Sequence, residues 1–288
     1  MSARRILITG GAGFLGRAIL RELERAPVEE VRVFDVAPVE SPGLPGLVSI
    51  VGDVCDRDAL LAACRGVDVV VHAASLIDWG HATPGRLEEV NVGGSRNVLG
   101  ACREAGGRGL VYTSSLDVVC GTRPGVEAVE TLAYPTVFAN EYARTKALAE
   151  RELLAASTPE LPICAMRPCG MFGEGDPYHV ANMLRVVASG RMPFRVGNGS
   201  AKFQHVYVGN VAQAHLLALR KLLEPGSEVG GQAYFVTDDS PAANFFDFME
   251  PIVDALGYSL PPKSRKVPYP VMLALGAAGE AAAAAARP

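Results

Sequence analysis

Basic residues are in slight deficit in this chain: 27 Lys and Arg stand against 31 Asp and Glu, for a net charge of −4. That balance offers no electrostatic footprint for nucleic acid. Cysteine is sparse as well. None of the six (Cys55, Cys64, Cys102, Cys120, Cys164, Cys169) stands in a C-x-x-C pair or at metal-ligand spacing, so no metal site is expected and reduced thiols in a cytoplasmic protein are the reading. Internal repeats are absent. Arg4-Arg5 ahead of an apolar stretch resembles a signal peptide only superficially, because glycines interrupt the stretch too early. Near the other end, Val267 to Pro288 is apolar but holds Pro268, Pro270, Glu280 and an alanine-rich run, which makes it a poor membrane span. It reads as a surface-lying or frayed helix with at most weak peripheral membrane contact. Its stop on Ala286-Arg287-Pro288, without a closing element, suits either a native end or a cut chain.

What the chain has is 288 residues at 49% hydrophobic content, enough for one large α/β domain or one with a smaller lobe. Its organising stretch is Thr9-Gly10-Gly11-Ala12-Gly13-Phe14-Leu15-Gly16, directly after Ile6-Leu7-Ile8. This reads as strand, tight turn and helix. Gly10 permits an unusual turn, Gly13 lets backbone approach a pyrophosphate, and Gly16 lets helix pack on strand. The helix start offers unpaired N–H groups to phosphate. Asp35, nineteen residues past Gly16, ends a second apolar strand, where a carboxylate can accept from both ribose hydroxyls of an adenosine. The same carboxylate repels a 2′-phosphate, and no Arg or Lys follows to receive one, so NAD is expected rather than NADP.

Further strands are predicted at Leu47–Asp53, Val67–Ala74, Leu110–Ser114 and Ile163–Arg167, alternating with helices from Asp56, over 84–105 and over 140–156. A loop with Trp79 and His81 precedes the 84–105 helix. Alternation at this spacing predicts a Rossmann-type, doubly wound parallel sheet. Beyond Gly170 the alternation is lost, so residues 1–170 are expected to form the dinucleotide domain and 171–288 a mostly helical substrate lobe. Within that lobe we expect helices over 179–189, 208–223 and 243–256, the last kinked by Pro251, and strands over 203–207 and 232–237.

Tyr142 and Lys146 lie four apart and share a helix face. A nearby ammonium stabilises a phenolate and makes tyrosine usable as a general base. Ser115 ends the preceding strand, at the sheet edge where open α/β folds place ligands, and can donate to a substrate oxygen.

Taken together, these segments resemble the extended short-chain dehydrogenase/reductase family over nearly the whole chain. Thr9–Gly16, Gly52-Asp53-Val54, His72-Ala73-Ala74, Asn91–Val98, Tyr112–Ser115, the Tyr142/Lys146 pair and Arg167-Pro168 with Phe172-Gly173 carry the likeness. Ser95 stands where the family usually has Thr. The resemblance implies that Ser115, Tyr142 and Lys146 are catalytic and that Asn91 orders a helix and a proton-relay water. It also implies that Asp53, Val54, Ala73, Ala74 and Pro168 lie along the cofactor, with Lys146 on the nicotinamide ribose. Four later segments, Tyr112–Gly121, Met171–Asp176, Val206–His215 and Gly231–Asp239, look most like the 3β-hydroxysteroid dehydrogenase branch, which includes sterol-4α-carboxylate 3-dehydrogenases. The implied reaction is NAD-dependent oxidation of a secondary alcohol on a hydrophobic substrate, and the implied assembly a homodimer through the 84–105 and 140–156 helices.

Alternatives that stay open are a long-chain β-keto acid reductase, a nucleotide-sugar epimerase or dehydratase, and a dinucleotide-sensing binding protein. Met183, Leu184, Val187, Met192, Phe194 and Phe203 are apolar enough to line a pocket, though core is the commoner fate of such a stripe. Arg185, Arg191 and Arg195 suit either an anionic substrate or solvent. His205 and His215 are expected to pack and hydrogen-bond.

Overall fold

The computed structural model describes residues 5–41, 43–44, 46–77, 83–121 and 128–285; the Trp79 and His81 loop and the last three residues lie outside them. Seven strands form one all-parallel sheet: β1 (Arg5–Thr9), β2 (Glu30–Asp35), β3 (Leu47–Val51), β4 (Val69–His72), β5 (Leu110–Thr113), β6 (Ile163–Pro168) and, at the far edge, the late strand Ala233–Val236. The order places β1 between β2 and β4. A doubly wound sheet was expected, and this is one.

Alternating side chains feed two cores. Ile6 and Ile8 of β1 join the layer under α1 (Phe14–Leu23) and the late helix Val208–Leu222, whereas Leu7 faces the layer under α2 (Arg57–Cys64). Strand β4 is buried along its whole length, as a strand covered on both faces should be. On the α2 side the predicted 84–105 helix comes in three parts: α3 (Pro84–Glu88), a π turn (Glu89–Gly93) and α4 (Gly94–Glu104). Helix α5 (Glu141–Ala155) matches its expected span and packs on α4 and β6. It starts at Asn140, whose Oδ1 accepts the Ala143 N–H at 2.8 Å.

The remaining elements follow in chain order: β7 (Gly170–Phe172), α6 (His179–Ala188), β8 (Arg195–Val196), β9 (His205–Tyr207), α7 (Val208–Leu222), β10 (Ala233–Val236), α8 (Phe245–Ala255), β11 (Lys266–Val267) and α9 (Tyr269–Ala285). Helix α8 is one unbroken element with Pro251 inside it. The chain divides into two compact units, one of residues 1–171 with 206–237 and one of 172–205 with 238–288. This division differs from the expected single cut after residue 170: Val206–Thr237 lies in the first unit, where α7 packs on α1, β5 and β6 and β10 extends the sheet. The second unit has its own small core of Met183, Met249, Val253 and Leu260, with Leu184, Val187 and Met192 packed against it. Those apolar residues thus serve as core. Among the described residues no helix is long and apolar enough to cross a membrane, although α9 presents exposed Tyr269, Val271, Leu273 and Leu275.

Candidate active site

The glycine loop leaves the C-terminal end of β1, where the neighbours on either side, β2 and β4, run to opposite halves of the sheet. Gly10 has φ 78°, and a Cβ there would sit 2.5 Å from the Ala74 nitrogen and 2.7 Å from the Ala73 carbonyl carbon. The loop therefore lies directly against Ala73-Ala74. A Cβ on Gly16 would meet the Gly10 carbonyl oxygen at 2.2 Å, so loop and helix touch backbone to backbone. Helix α1 has Gly13 as N-cap, no side-chain cap bond and no acid in its first turn, which leaves its first N–H groups to an anion. Leu15 is buried and Phe14 packs partly into the core. Asp35 flanks the loop: its carboxylate accepts the N–H of Ala12 at 2.9 Å and of Ala37 at 3.1 Å, with lone pairs remaining for hydroxyl donors.

Asp53 is already engaged. Its oxygens accept from the Cys55 N–H at 2.9 Å and from Arg86 at 2.7 Å. The Cys55 N–H, and then Arg86, hold it below the usual carboxylate range against the opposing effect of burial. Val54 is buried, and its carbonyl accepts from Asn97 at 3.0 Å. Pro168 closes β6, buried. A cradle that a Cβ would fill, an uncapped helix start and a flanking carboxylate fit a dinucleotide.

The catalytic candidates gather around the end of β5. Ser115 is the N-cap of a short 3-10 turn (Leu116–Val119), its hydroxyl accepting the Asp117 N–H at 3.1 Å. Helix α5 packs on that turn and carries Tyr142 in its first turn, half-buried. One turn on, Lys146 is 2% exposed; its Nζ donates to the Thr113 carbonyl at 2.5 Å and stands 4.2 Å above the Tyr112 ring. Burial pushes this ammonium down to about 7, with Glu150 opposing. Lys146 is thus held inside the protein against the end of β5.

Asn91 sits in the π turn and uses its whole amide on protein. Oδ1 accepts from the Leu76 N–H at 2.8 Å and Ser75 Oγ at 3.1 Å, while Nδ2 donates to the Leu76 carbonyl at 3.0 Å and Thr145 Oγ1 at 3.1 Å. It joins the strand-end loop to α5.

Two buried histidines hold the site in ways that sequence reasoning missed. Ser95 Oγ donates to the Asn91 carbonyl at 2.6 Å, so it accepts from His72 Nε2 at 3.0 Å. His72 Nδ1 must then accept from Thr9 Oγ1, at 2.7 Å. Burial, with Lys146 adding to it, lowers His72 to about 3 and keeps it neutral. His215 bonds the Val211 carbonyl through Nδ1 and Thr113 Oγ1 through Nε2, both at 2.8 Å, and burial lowers it to about 4. His215 packs and hydrogen-bonds as expected, and its bond to Thr113 reaches the residue whose carbonyl holds Lys146. The signal available was position: His72 ends a run of valines at a strand terminus.

In the second unit Arg195 is spent internally, on the Pro261 carbonyl at 2.6 Å and on Glu250 at 2.5 Å. His205 stacks on Phe248 with ring centroids 3.5 Å apart. Among the described residues no cluster of His, Cys, Asp or Glu could hold a metal ion.

A family model described as the 3-beta hydroxysteroid dehydrogenase/isomerase family matches residues 7–268. A 3-beta-hydroxysteroid dehydrogenase of Mycolicibacterium neoaurum is 37% identical over 265 residues, covering 89% of this chain and 71% of that one. The human 3 beta-hydroxysteroid dehydrogenase type 7 is 38% identical over 288 residues, covering 94% and 78%. Among solved structures, UDP-glucose 4-epimerase of Thermus thermophilus in complex with NAD superposes with a TM-score of 0.74 at 27% identity, covering 95% of this chain and 93% of that one.

Proposed function

Because the chain belongs to the 3-beta hydroxysteroid dehydrogenase/isomerase family, we propose that it oxidises the 3β-hydroxyl of a steroid or sterol to the ketone. It is an NAD-dependent oxidoreductase. The observation that carries the assignment of roles is Lys146, buried against the carbonyl of Thr113, two residues before Ser115 and one turn from Tyr142. Bound NAD would supply the hydride acceptor. Gly10, Gly13 and Gly16 with the first turn of α1 would hold its pyrophosphate, and Asp35 a ribose.

Tyr142, as phenolate, takes the substrate's hydroxyl proton, and the ammonium of Lys146 favours that phenolate. Ser115 donates its hydroxyl hydrogen to the same substrate oxygen, while its lone pair keeps the Asp117 N–H. Asn91 acts through position, holding the helix that carries both groups. A carboxylate at C4 of the substrate would lie β to the new ketone and would leave as CO2, its electron pair passing into an enol that solvent then reprotonates, without a further catalytic group. A nucleotide-sugar reading has less support here, since Arg195 is already neutralised by Glu250 and Asp247 within its own unit. The assembly we propose is a homodimer.

The test is absorbance of reduced nicotinamide with a 3β-hydroxysteroid, a 4α-carboxysterol, a long-chain β-hydroxy acid and a UDP-sugar. Steroid-dependent NADH formation is expected, and Tyr142→Phe should lower kcat/KM by about 10²-fold or more. Near-wild-type turnover in Tyr142→Phe would refute the assigned roles. Turnover of the hydroxy acid alone would move the substrate and keep the mechanism.

A further inference from the structure

Helix α5 carries a second buried charge one turn beyond Lys146. Glu150 is fully buried, and Arg167 of β6 is 3% exposed. The guanidinium grips the carboxylate with two nitrogens, Nη2 to Oε1 at 2.6 Å and Nε to Oε2 at 3.0 Å. Tyr134 donates its hydroxyl to Oε1 at 2.7 Å, and the other arm of Arg167 donates to the Glu130 carbonyl at 3.1 Å. Both carboxylate oxygens are thus bonded. A pair this deep contributes little net stability over an apolar pair of the same shape, because desolvation offsets the attraction. Its consequence is the electrostatic field inside a low-dielectric core, and the nearest buried cation on the same helix is Lys146.

Among the described residues, the groups around Lys146 are few. On α5 they are Tyr142 and Glu150. From β5 come the Tyr112 ring and the Thr113 carbonyl, from β4 the neutral His72, and from β6 Arg167 behind Glu150. Asp117, on the turn packed against α5, is raised by burial, with Ser115 opposing. Glu150 is the carboxylate that favours the charged lysine, and Arg167 keeps it in place.

We propose that the Glu150–Arg167 pair is a positioning device for the reaction: the Glu150 carboxylate keeps Lys146 an ammonium, and through Lys146 it sustains the Tyr142 phenolate. This rests on the functional reading above for its last link only. The first link is a property of the protein alone: Glu150 follows Lys146 by one turn of α5, and both side chains are buried.

The experiment titrates Lys146 directly, by nitrogen NMR of protein labelled at lysine Nζ, with no substrate or cofactor added. Wild type should titrate near about 7. Glu150→Gln removes the carboxylate and leaves Arg167 charged, so the midpoint should fall by about one pH unit or more. The double variant Glu150→Gln/Arg167→Gln removes both charges and should lie between the two. In turnover, the acid limb of kcat/KM should move to higher pH in Glu150→Gln and move back in the double variant. If Glu150→Gln does not fold, Glu150→Asp is titrated in its place and should shift the same way by less. A Lys146 midpoint that stays within about 0.3 pH unit in every variant, whatever happens to stability, overturns the proposal. A wild type that oxidises none of the alcohols overturns the functional reading, and the lysine titration still decides the charge-setting role.

Discussion

At the scale of single residues, two helical glycines that look alike in sequence, Gly16 in α1 and Gly100 in α4, carry opposite predictions. A methyl on Gly16 would meet the Gly10 carbonyl oxygen at 2.2 Å and the Gly11 Cα at 2.5 Å, backbone atoms that cannot rotate away. Gly16→Ala should therefore cost about 1–3 kcal/mol of stability and weaken NAD binding, because relief requires the glycine loop to move. Gly100, inside α4, has nothing within 4 Å of its would-be Cβ. There, Gly100→Ala should stabilise by about 0.5–1 kcal/mol through helix propensity and leave NAD affinity unchanged. Urea midpoints and calorimetric NAD titrations of the two variants check both halves. A Gly16→Ala protein with wild-type affinity would mean that the loop's tight backbone contact is not part of the binding site.

At the scale of elements, most of the site was legible because periodic and local rules govern it. The strand–loop–helix start, Asp35 at the end of β2, Ser115 after β5 and the α5 pair all follow from spacing along one or two elements. Legibility stopped where a side chain overrides its own helix. The 84–105 stretch reads as one helix, yet Glu89–Gly93 adopts a π turn, and no period encodes that Asn91 bonds both backbone groups of Leu76. The Asp53–Arg86 pairing and the Thr9–His72–Ser95 chain were invisible for the same reason: each depends on contacts across tens of residues. Asn91→Ala should leave the Leu76 N–H and C=O without their partner and cost about 1–3 kcal/mol. The amide of Leu76 should exchange with solvent much faster, and kcat should fall through loss of α5 positioning. Unchanged exchange at Leu76 would show that the π turn, and not the asparagine side chain, holds that loop.

At the scale of the whole molecule, burial of neutral imidazoles couples folding to pH. His72 is lowered to about 3, and His205 and His215 to about 4, in each case chiefly by burial. An unfolded chain binds protons at these histidines near pH ~6.5, whereas the folded one resists them until far lower pH. The resulting stability is complete above about pH 6.5 and is lost as pH falls toward 4, at about 2 kcal/mol per histidine by pH 5. The loss is divided between the units, since His72 and His215 belong to the first and His205 to the second. Urea unfolding followed by far-UV circular dichroism at pH 7.5 and pH 5 should show a marked drop in midpoint. His215→Gln should lower the midpoint at pH 7.5 yet flatten its pH dependence, because the variant no longer holds that buried imidazole. Two separate transitions would reveal units that fold independently, and His205→Phe should then flatten only the transition of the second. A midpoint that is level between pH 7.5 and pH 5 would mean that these imidazoles reach water in the native state, contrary to the fully buried His72 and His215.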